Sequence, residues 1–373
     1  MTRTAGNLVD LTRKLVSFDT INPPGQETDC MEFAAARLEE AGFCCTRHRH
    51  SDTRFSIVAT RGTGDGLPLC FSGHLDTVPL GNAPWRHDPF AGDIEGDHLF
   101  GRGSSDMKGG VAAFILACQA VPRVRGGVAV VLSVGEETGC DGARWLVEAG
   151  ALPPAGAMIV AESTDNRPLL GHKGVCWLRF RVQGRTAHGA TPELGENAIL
   201  KALPLMTRLA TFDPEASHPI MGRATANLGT IHGGINTNSV PDRCEMTLDL
   251  RSVAGITHDE LRAGLERLAG PEVRIETLLD LPAVWSEPDD PWCARASAVV
   301  AEITGVTATP EVANYFTDAA VLKPAMGNIP VLILGPGSMD QPHSTDEFVL
   351  ISRLIEAQSI YEALLADWTG AAD

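Results

Sequence analysis

The sequence predicts an α/β protein: a mostly parallel central sheet flanked by helices, carrying an inserted α+β domain of the ferredoxin-like kind. Three observations predict it. Short runs that are apolar on both faces, such as FSIVAT, PLCFSGHLDTV, GGVAVVLSV and AMIVAES, alternate with helical stretches, as in a parallel sheet covered on both sides. Near residue 174 the pattern changes to polar–apolar alternation in VCWLRFRVQGR, as in a strand with one face in water. After about residue 284 the first pattern returns.

Each element follows from its local pattern. Apolar residues at three- and four-residue spacing place helices over 6–20 and 28–42, separated by the Pro/Gly loop FDTINPPGQET. FSIVAT and PLCFSGHLDTV read as strands, GGVAAFILACQAV as a buried helix, GGVAVVLSV as a strand, ARWLVEAG as a helix and AMIVAES as a strand. The insert runs strand VCWLRFRVQGR, helix ENAILKALPLMTRLA, strands RATANLGTIHGG and DRCEMTLDLRS, helix THDELRAGLERL and strand EVRIETLL. That is a βαββαβ order, a small antiparallel sheet with two helices. The helix PWCARASAVVAEITG, a short strand and loop in ANYFTDAAVL, the strand IPVLILGPG and a last helix complete the chain. The domains are expected at 1–173 with 284–373, and at 174–283.

Composition excludes several function classes. At 373 residues the chain is long enough for two domains, and 44% hydrophobic with 21% charged residues suits a soluble protein. A formal charge of −17 argues against a nucleic-acid surface or binding to an anionic membrane. The nine cysteines are scattered without a CxxC pair, which fits a reducing compartment better than a disulfide scaffold. The opening MTRTAGNLVDLTRKLV has charges within an amphipathic pattern, unlike a secretory leader, and no apolar run reaches the ~18 residues of a membrane span. A cytoplasmic protein is expected.

Five stretches carry acidic or His residues beside glycine: GHLDTV, GRGSSDMKGG, SVGEETGC, VAESTD and GPGSMDQPHSTDE. Four directly follow an expected buried strand, and open α/β sheets build their sites at the carboxyl ends of such strands. His74 and Asp76, two apart on a strand, would face the same way, with the carboxylate near a metal-bound imidazole. A polar strand end reads as naturally. Glu136 and Glu137 cannot both be buried without partners; one could bind a metal while the other reaches a water. A solvated acidic turn is the plainer alternative. Asp106 precedes a helix, where it could act as a cap. Together with Glu162 and His343, these residues form a hard-oxygen and imidazole set without thiolates, suited to paired Zn²⁺ or similar ions.

With GHLDTVP, GRGSSDMKGG, GEETG, AHGATPELGENAI and NSVPD in this order, the sequence resembles the di-zinc deacylase and peptidase family. That family includes acetylornithine deacetylase, succinyl-diaminopimelate desuccinylase, aminoacylases and glutamate-releasing carboxypeptidases. The resemblance runs over essentially the whole chain. It implies two Zn²⁺ per subunit, with Co²⁺ or Mn²⁺ as substitutes: His74 and Glu162 on one, Glu137 and His343 on the other, Asp106 bridging. It implies Glu136 as general base, Asp76 behind the ligands, and a cis peptide at Asp106–Met107. The insert becomes a lid and dimerisation domain. From it His188 would stabilise the oxyanion, often in the partner subunit's site, while Asn238 and Arg251 would contact substrate. Thr317 and Asp318 fall in a stretch the family uses near the substrate.

The implied reaction is hydrolysis of a linear amide in a small-molecule N-acyl amino acid, with a dipeptide or an N-carbamoyl amino acid as the alternative substrate. A homodimer through the insert is the implied assembly. A non-catalytic binding member of the fold would have lost Glu136 or a ligand, and none is lost. The remaining candidates read more plainly. His48 and His50 read as solvated on an exposed basic strand, and His172, His232, His87 and His98 as structural or surface residues. Lys108 and Arg102 read as supports of the Asp106 loop.

Overall fold

The computed structural model describes residues 3–62 and 66–369. The chain divides into two units, Met1–Gly171 with Trp285–Asp373, and His172–Val284. In the first, helices α1 (Arg3–Val16) and α2 (Thr28–Glu40) precede strands β1 (Cys44–Ser51), β2 (Arg54–Arg61) and β3 (Leu69–His74). Then come α3 (Gly109–Ala120), β4 (Val128–Ser133), α4 (Asp141–Glu148) and β5 (Ala157–Val160). The second unit holds β6 (Gly174–Gln183), α5 (Ala198–Ala210), β7 (Thr225–Gly233), β8 (Arg243–Ser252), α6 (His258–Ala269) and β9 (Val273–Leu281). The first unit resumes with α7 (Pro291–Thr304), α8 (Ala319–Ala325), β10 (Val331–Ile333) and α9 (Ile351–Asp367).

The six-stranded sheet of the first unit has the order β1-β2-β4-β3-β5-β10. β3 lies parallel to β4 and β5, and β10 parallel to β5; β1 and β2 form an antiparallel margin. β3, β4 and β5 are buried along their whole length, as their unbroken apolar runs require when helices cover both faces. Each fully buried Val, Leu or Ile there contributes roughly 1.5–3 kcal/mol. Phe71 of β3 stacks on Phe114 of α3 and meets Tyr361 of α9 edge-on, both with ring centroids 5.3 Å apart. α3 approaches the end of β5 closely: a Cβ at Gly110 would lie 2.1 Å from the Ala161 carbonyl oxygen, so only glycine fits. The parallel strands all run the same way, so their carboxyl ends share one edge.

In the second unit, four antiparallel strands in the order β7-β8-β6-β9 bury Leu178, Phe180, Met246 and Leu248 together with Leu205 of α5 and Leu265 of α6. α6 starts on a capping box, Thr257 with Glu260. Among the described residues, no helix is long and apolar enough to cross a membrane, and all nine cysteines are free.

Two expected elements differ. The helix expected over 6–20 ends at Val16. Past it the backbone is claimed by tertiary partners: Lys108 Nζ donates to the Phe18 carbonyl at 2.9 Å and the Thr20 hydroxyl to that of Leu75 at 2.6 Å. The apolar spacing of Phe18 and Ile21 thus reflects packing rather than helix. The stretch read as a short strand and loop, ANYFTDAAVL, runs into helix α8, whose start is concealed in sequence by its shortness and by Pro324 inside it.

Candidate metal centre

Four of the five candidate stretches leave the carboxyl ends of β3, β4, β5 and β10, and the fifth forms the irregular turn Ser104–Lys108 ahead of α3. Asp106 does not cap α3. It has φ −118° and ψ 94° inside that turn, and the Asp106–Met107 peptide is cis.

The turn puts the Asp106 carboxylate between two His–Glu pairs. His74 Nε2 lies 3.2 Å from Asp106 Oδ1 and 3.2 Å from Glu162 Oε1. His343 Nε2 lies 3.1 Å from Glu137 Oε2 and 3.6 Å from Asp106 Oδ2. Ligand atoms of His74, Asp106 and Glu137 all fall within 4.8 Å of one another. One oxygen of Asp106 therefore faces each pair.

The tautomer of His74 follows from its second nitrogen. Nδ1 sits 3.0 Å from the Asp76 carbonyl oxygen, which can only accept, so Nδ1 carries a proton and Nε2 faces the carboxylates. The reason for the pairing is not strand alternation, because β3 ends at His74. The Asp76 side chain, its Oδ1 3.5 Å from His74 Nδ1, also reaches the β4 loop, accepting from Glu136 N and Glu137 N at 3.3 Å each and from Asn22 Nδ2 at 2.9 Å. Asn22 was not legible as a site residue.

The charges are crowded. Burial pushes the Glu162 carboxyl up to about 7, and the neighbouring Asp106 charge adds to this against the pull of His74. Burial and then Asp106 push Glu137 up to about 6, opposed by His343 and His74. Glu136, 4% exposed, is driven well above the usual carboxylate range by burial first; Glu137, Glu162 and Asp318 reinforce it against His74. For His74, burial favours the neutral ring, but hydrogen bonds to Asp106, Asp76 and Glu162 raise it well above its ordinary value. This is a site in need of positive charge. Three carboxylates and two imidazoles, without thiolate, fit divalent ions that accept oxygen and nitrogen ligands.

The other candidates are placed as follows. Thr317 is buried, and its hydroxyl accepts the Ala319 N–H at 3.1 Å. Asp318 accepts from the Ser133 hydroxyl at the end of β4, and burial pushes it up to about 6 against the pull of Ser133 and His74. In the second unit His188 is exposed and its Nδ1 accepts the Ala190 N–H at 3.0 Å. Asn238 is exposed, its carbonyl accepting from Gly189 N at 2.7 Å. Arg251 Nε donates to Asp249 at 3.0 Å. Arg102 and Lys108 are buried supports, bonded to Glu347 and to the Phe18 carbonyl. His50, read as solvated, is half-buried: it bonds Ser56 Oγ at 2.9 Å, and burial pushes it down to about 4. Burial likewise pushes His172 down to about 4.

The chain is 32% identical to the acetylornithine deacetylase of Proteus mirabilis, over 91% of each protein. Its fold matches an M20 family metallo-carboxypeptidase of Sulfolobus solfataricus with a TM-score of 0.80 at 17% identity, covering 98% of this chain and 99% of that one. It also matches a dinuclear metal binding peptidase of the M20 family from Bacillus subtilis with a TM-score of 0.73 at 18% identity, covering 98% of each. The model of Peptidase family M20/M25/M40 aligns with residues 70–367, a span that takes in every loop meeting at Asp106, and the chain is a member of that family.

Proposed function

We propose that this hydrolase cleaves the amide bond of an N-acyl amino acid, with acetylornithine the first substrate to test, and holds two Zn²⁺ ions per subunit to do so. One observation carries the reading: Asp106 turns one oxygen to His74 and Glu162 and the other to Glu137 and His343. In this reading each pair would hold one ion and Asp106 would be shared between them; Co²⁺ or Mn²⁺ would suit the same donors. When bound, such ions supply Lewis acidity and lower the pKa of water.

The chain's own residues supply the rest. Glu136, buried beside the cluster, takes the proton of the attacking water and delivers it to the leaving nitrogen, so the products are a carboxylate and an amine. Asp76 holds the backbone of Glu136 and Glu137 in place. Because His188 Nδ1 accepts a backbone N–H, its proton sits on Nε2, a donor suited to the oxyanion. Arg251, oriented by Asp249, is proposed for the substrate carboxylate, with Asn238 and Thr317 as further contacts. A homodimer through the inserted unit is supported by its edge strand β7 and by exposed Ile231, Leu200 and Leu203. Free cysteines throughout suit a cytoplasmic setting.

The test is product release by metal-loaded protein from acetylornithine, succinyl-diaminopimelate, other N-acyl amino acids, N-carbamoyl amino acids and dipeptides. Preferred turnover of an N-acyl amino acid is expected. Exclusive turnover of dipeptides would replace this reading with a peptidase one.

A further inference from the structure

We propose that Glu347 is a positioning residue for the metal centre, a clamp that presents Asp106 to both ligand pairs; this rests on the reading of Asp106 as the shared ligand. Glu347 is fully buried. Its Oε1 accepts the backbone N–H groups of Ser105 at 2.9 Å and Asp106 at 3.1 Å. Its Oε2 accepts that of Gly103 at 3.0 Å and Arg102 Nη1 at 2.6 Å. Its own carbonyl oxygen accepts from Gly101 N at 2.8 Å. One residue thus satisfies four of the backbone donors between Gly101 and Asp106.

That concentration has a physical purpose. The turn is irregular, with Gly103 at φ 81° and Asp106 at φ −118°; it closes bonds of its own from Ser104 N to the Gly101 carbonyl at 3.1 Å and from Lys108 N to the Gly103 carbonyl at 2.8 Å, while the N–H groups of Gly103, Ser105 and Asp106 turn to Glu347. Those three donors need an acceptor from outside the turn, and a carboxylate offers two oxygens in a fixed plane. A mere ion pair with Arg102 would occupy one oxygen. The other oxygen instead takes the N–H of the residue whose carboxylate is shared and that of its neighbour. Arg102, 1% exposed and stacked 5.1 Å from the Trp85 ring, balances the buried charge. Glu347 also sits further along the loop that bears His343, so this loop carries one ligand and shapes the turn that bears another.

The experiment is calorimetric titration of the metal-free protein with Zn²⁺, against a competing chelator, in a double-mutant cycle of Glu347→Gln and Asp106→Asn. The amide keeps one acceptor oxygen and turns an NH₂ toward the remaining donors. Glu347→Gln is expected to weaken Zn²⁺ binding about 10–100-fold. In the Asp106→Asn background it should weaken binding less than about threefold, because the clamp then has no ligand to present. An equal loss in both backgrounds, or none in the first, overturns the clamp. If Glu347→Gln fails to fold because Arg102 loses its counter-charge, Arg102→Met/Glu347→Gln replaces it, with the same outcomes deciding. A wild-type chain that binds no Zn²⁺ overturns the metal-centre reading and the clamp together; wild-type binding without a Glu347 effect overturns the clamp alone.

Discussion

Asp76 holds the backbone N–H groups of both Glu136 and Glu137, its Oδ1 3.3 Å from the first and its Oδ2 3.3 Å from the second. A single carboxylate therefore sets the turn that carries the proposed base and a proposed ligand, while its own carbonyl fixes the tautomer of His74. Replacing it with Asn puts an NH₂ where one N–H must be accepted. Asp76→Asn is expected to fold and to lose about 10–100-fold in kcat/KM. Steady-state kinetics check this, and wild-type kcat/KM would leave Asp76 without the proposed role.

Glu136→Gln removes the proton carrier and keeps the shape of the side chain. Turnover should fall by about 10²–10⁴-fold, the usual worth of a general base. Metal content, measured by elemental analysis, should stay at the wild-type value, because Glu136 is not one of the proposed ligands. Retained turnover would remove Glu136 as the base, and lost metal would make it a ligand.

Much of this was legible in the sequence because the site sits where strands end. The unbroken apolar runs of β3, β4 and β5 announce a parallel sheet, and whatever polar residue follows such a run must lie on its rim. What was not legible is support that depends on long-range geometry. Glu347 reaches the Asp106 turn from a loop more than two hundred residues later, and Asn22 reaches Asp76 from a loop after α1. Neither pairing has a local signature; Glu347 is an acidic residue in HSTDEF that reads as solvated until its burial is seen. Asp318 was legible as a candidate, but its bond to Ser133 was not. Strand alternation brought His74 and Asp76 together in the sequence reading, whereas a loop does so in the fold.

Metal removal should destabilise the protein. The carboxylates of Asp106, Glu137 and Glu162 are packed with two imidazoles, and burial already drives Glu137 and Glu162 toward neutrality. An ion that binds only the folded chain stabilises it by about 4 kcal/mol when present at a thousand times its Kd. Adding Zn²⁺ to chelator-treated protein should therefore raise the thermal midpoint, with the size of the rise following the Zn²⁺ concentration. An unchanged midpoint across that titration would count against a metal held by the folded site.

The second unit offers a pH test of its own. His258 Nδ1 lies 2.6 Å from Asp280 Oδ1, and Arg262 donates to the other oxygen. The His258 bond first, then Arg262, hold the Asp280 carboxyl down to about 2 against its burial. A pKa lower in the folded state means stability that is full above the ordinary carboxylate value and lost as pH falls toward 2. Urea unfolding of the full chain should show Asp280→Asn less stable than wild type at pH 6, with the gap closing between about pH 4 and pH 2. A gap constant over that range would mean Asp280 titrates alike in both states.

The remaining prediction concerns His188. Its tautomer makes Nε2 a donor, and an exposed donor on an inserted unit acts on substrate only if it meets a centre built by the other unit. Chains lacking His188 and chains lacking Glu136 are each expected to be nearly inactive. If a twofold dimer shares its sites, a heterodimer of His188→Ala with Glu136→Gln restores one site, made from Glu136 of one chain and His188 of the other. Random mixing makes about half the dimers hybrid, so about a quarter of wild-type activity should return. If each chain supplies its own His188, both sites in the hybrid stay defective and nothing returns. Mixing the two variants under conditions that exchange subunits, with mass spectrometry to verify the hybrid, separates these outcomes.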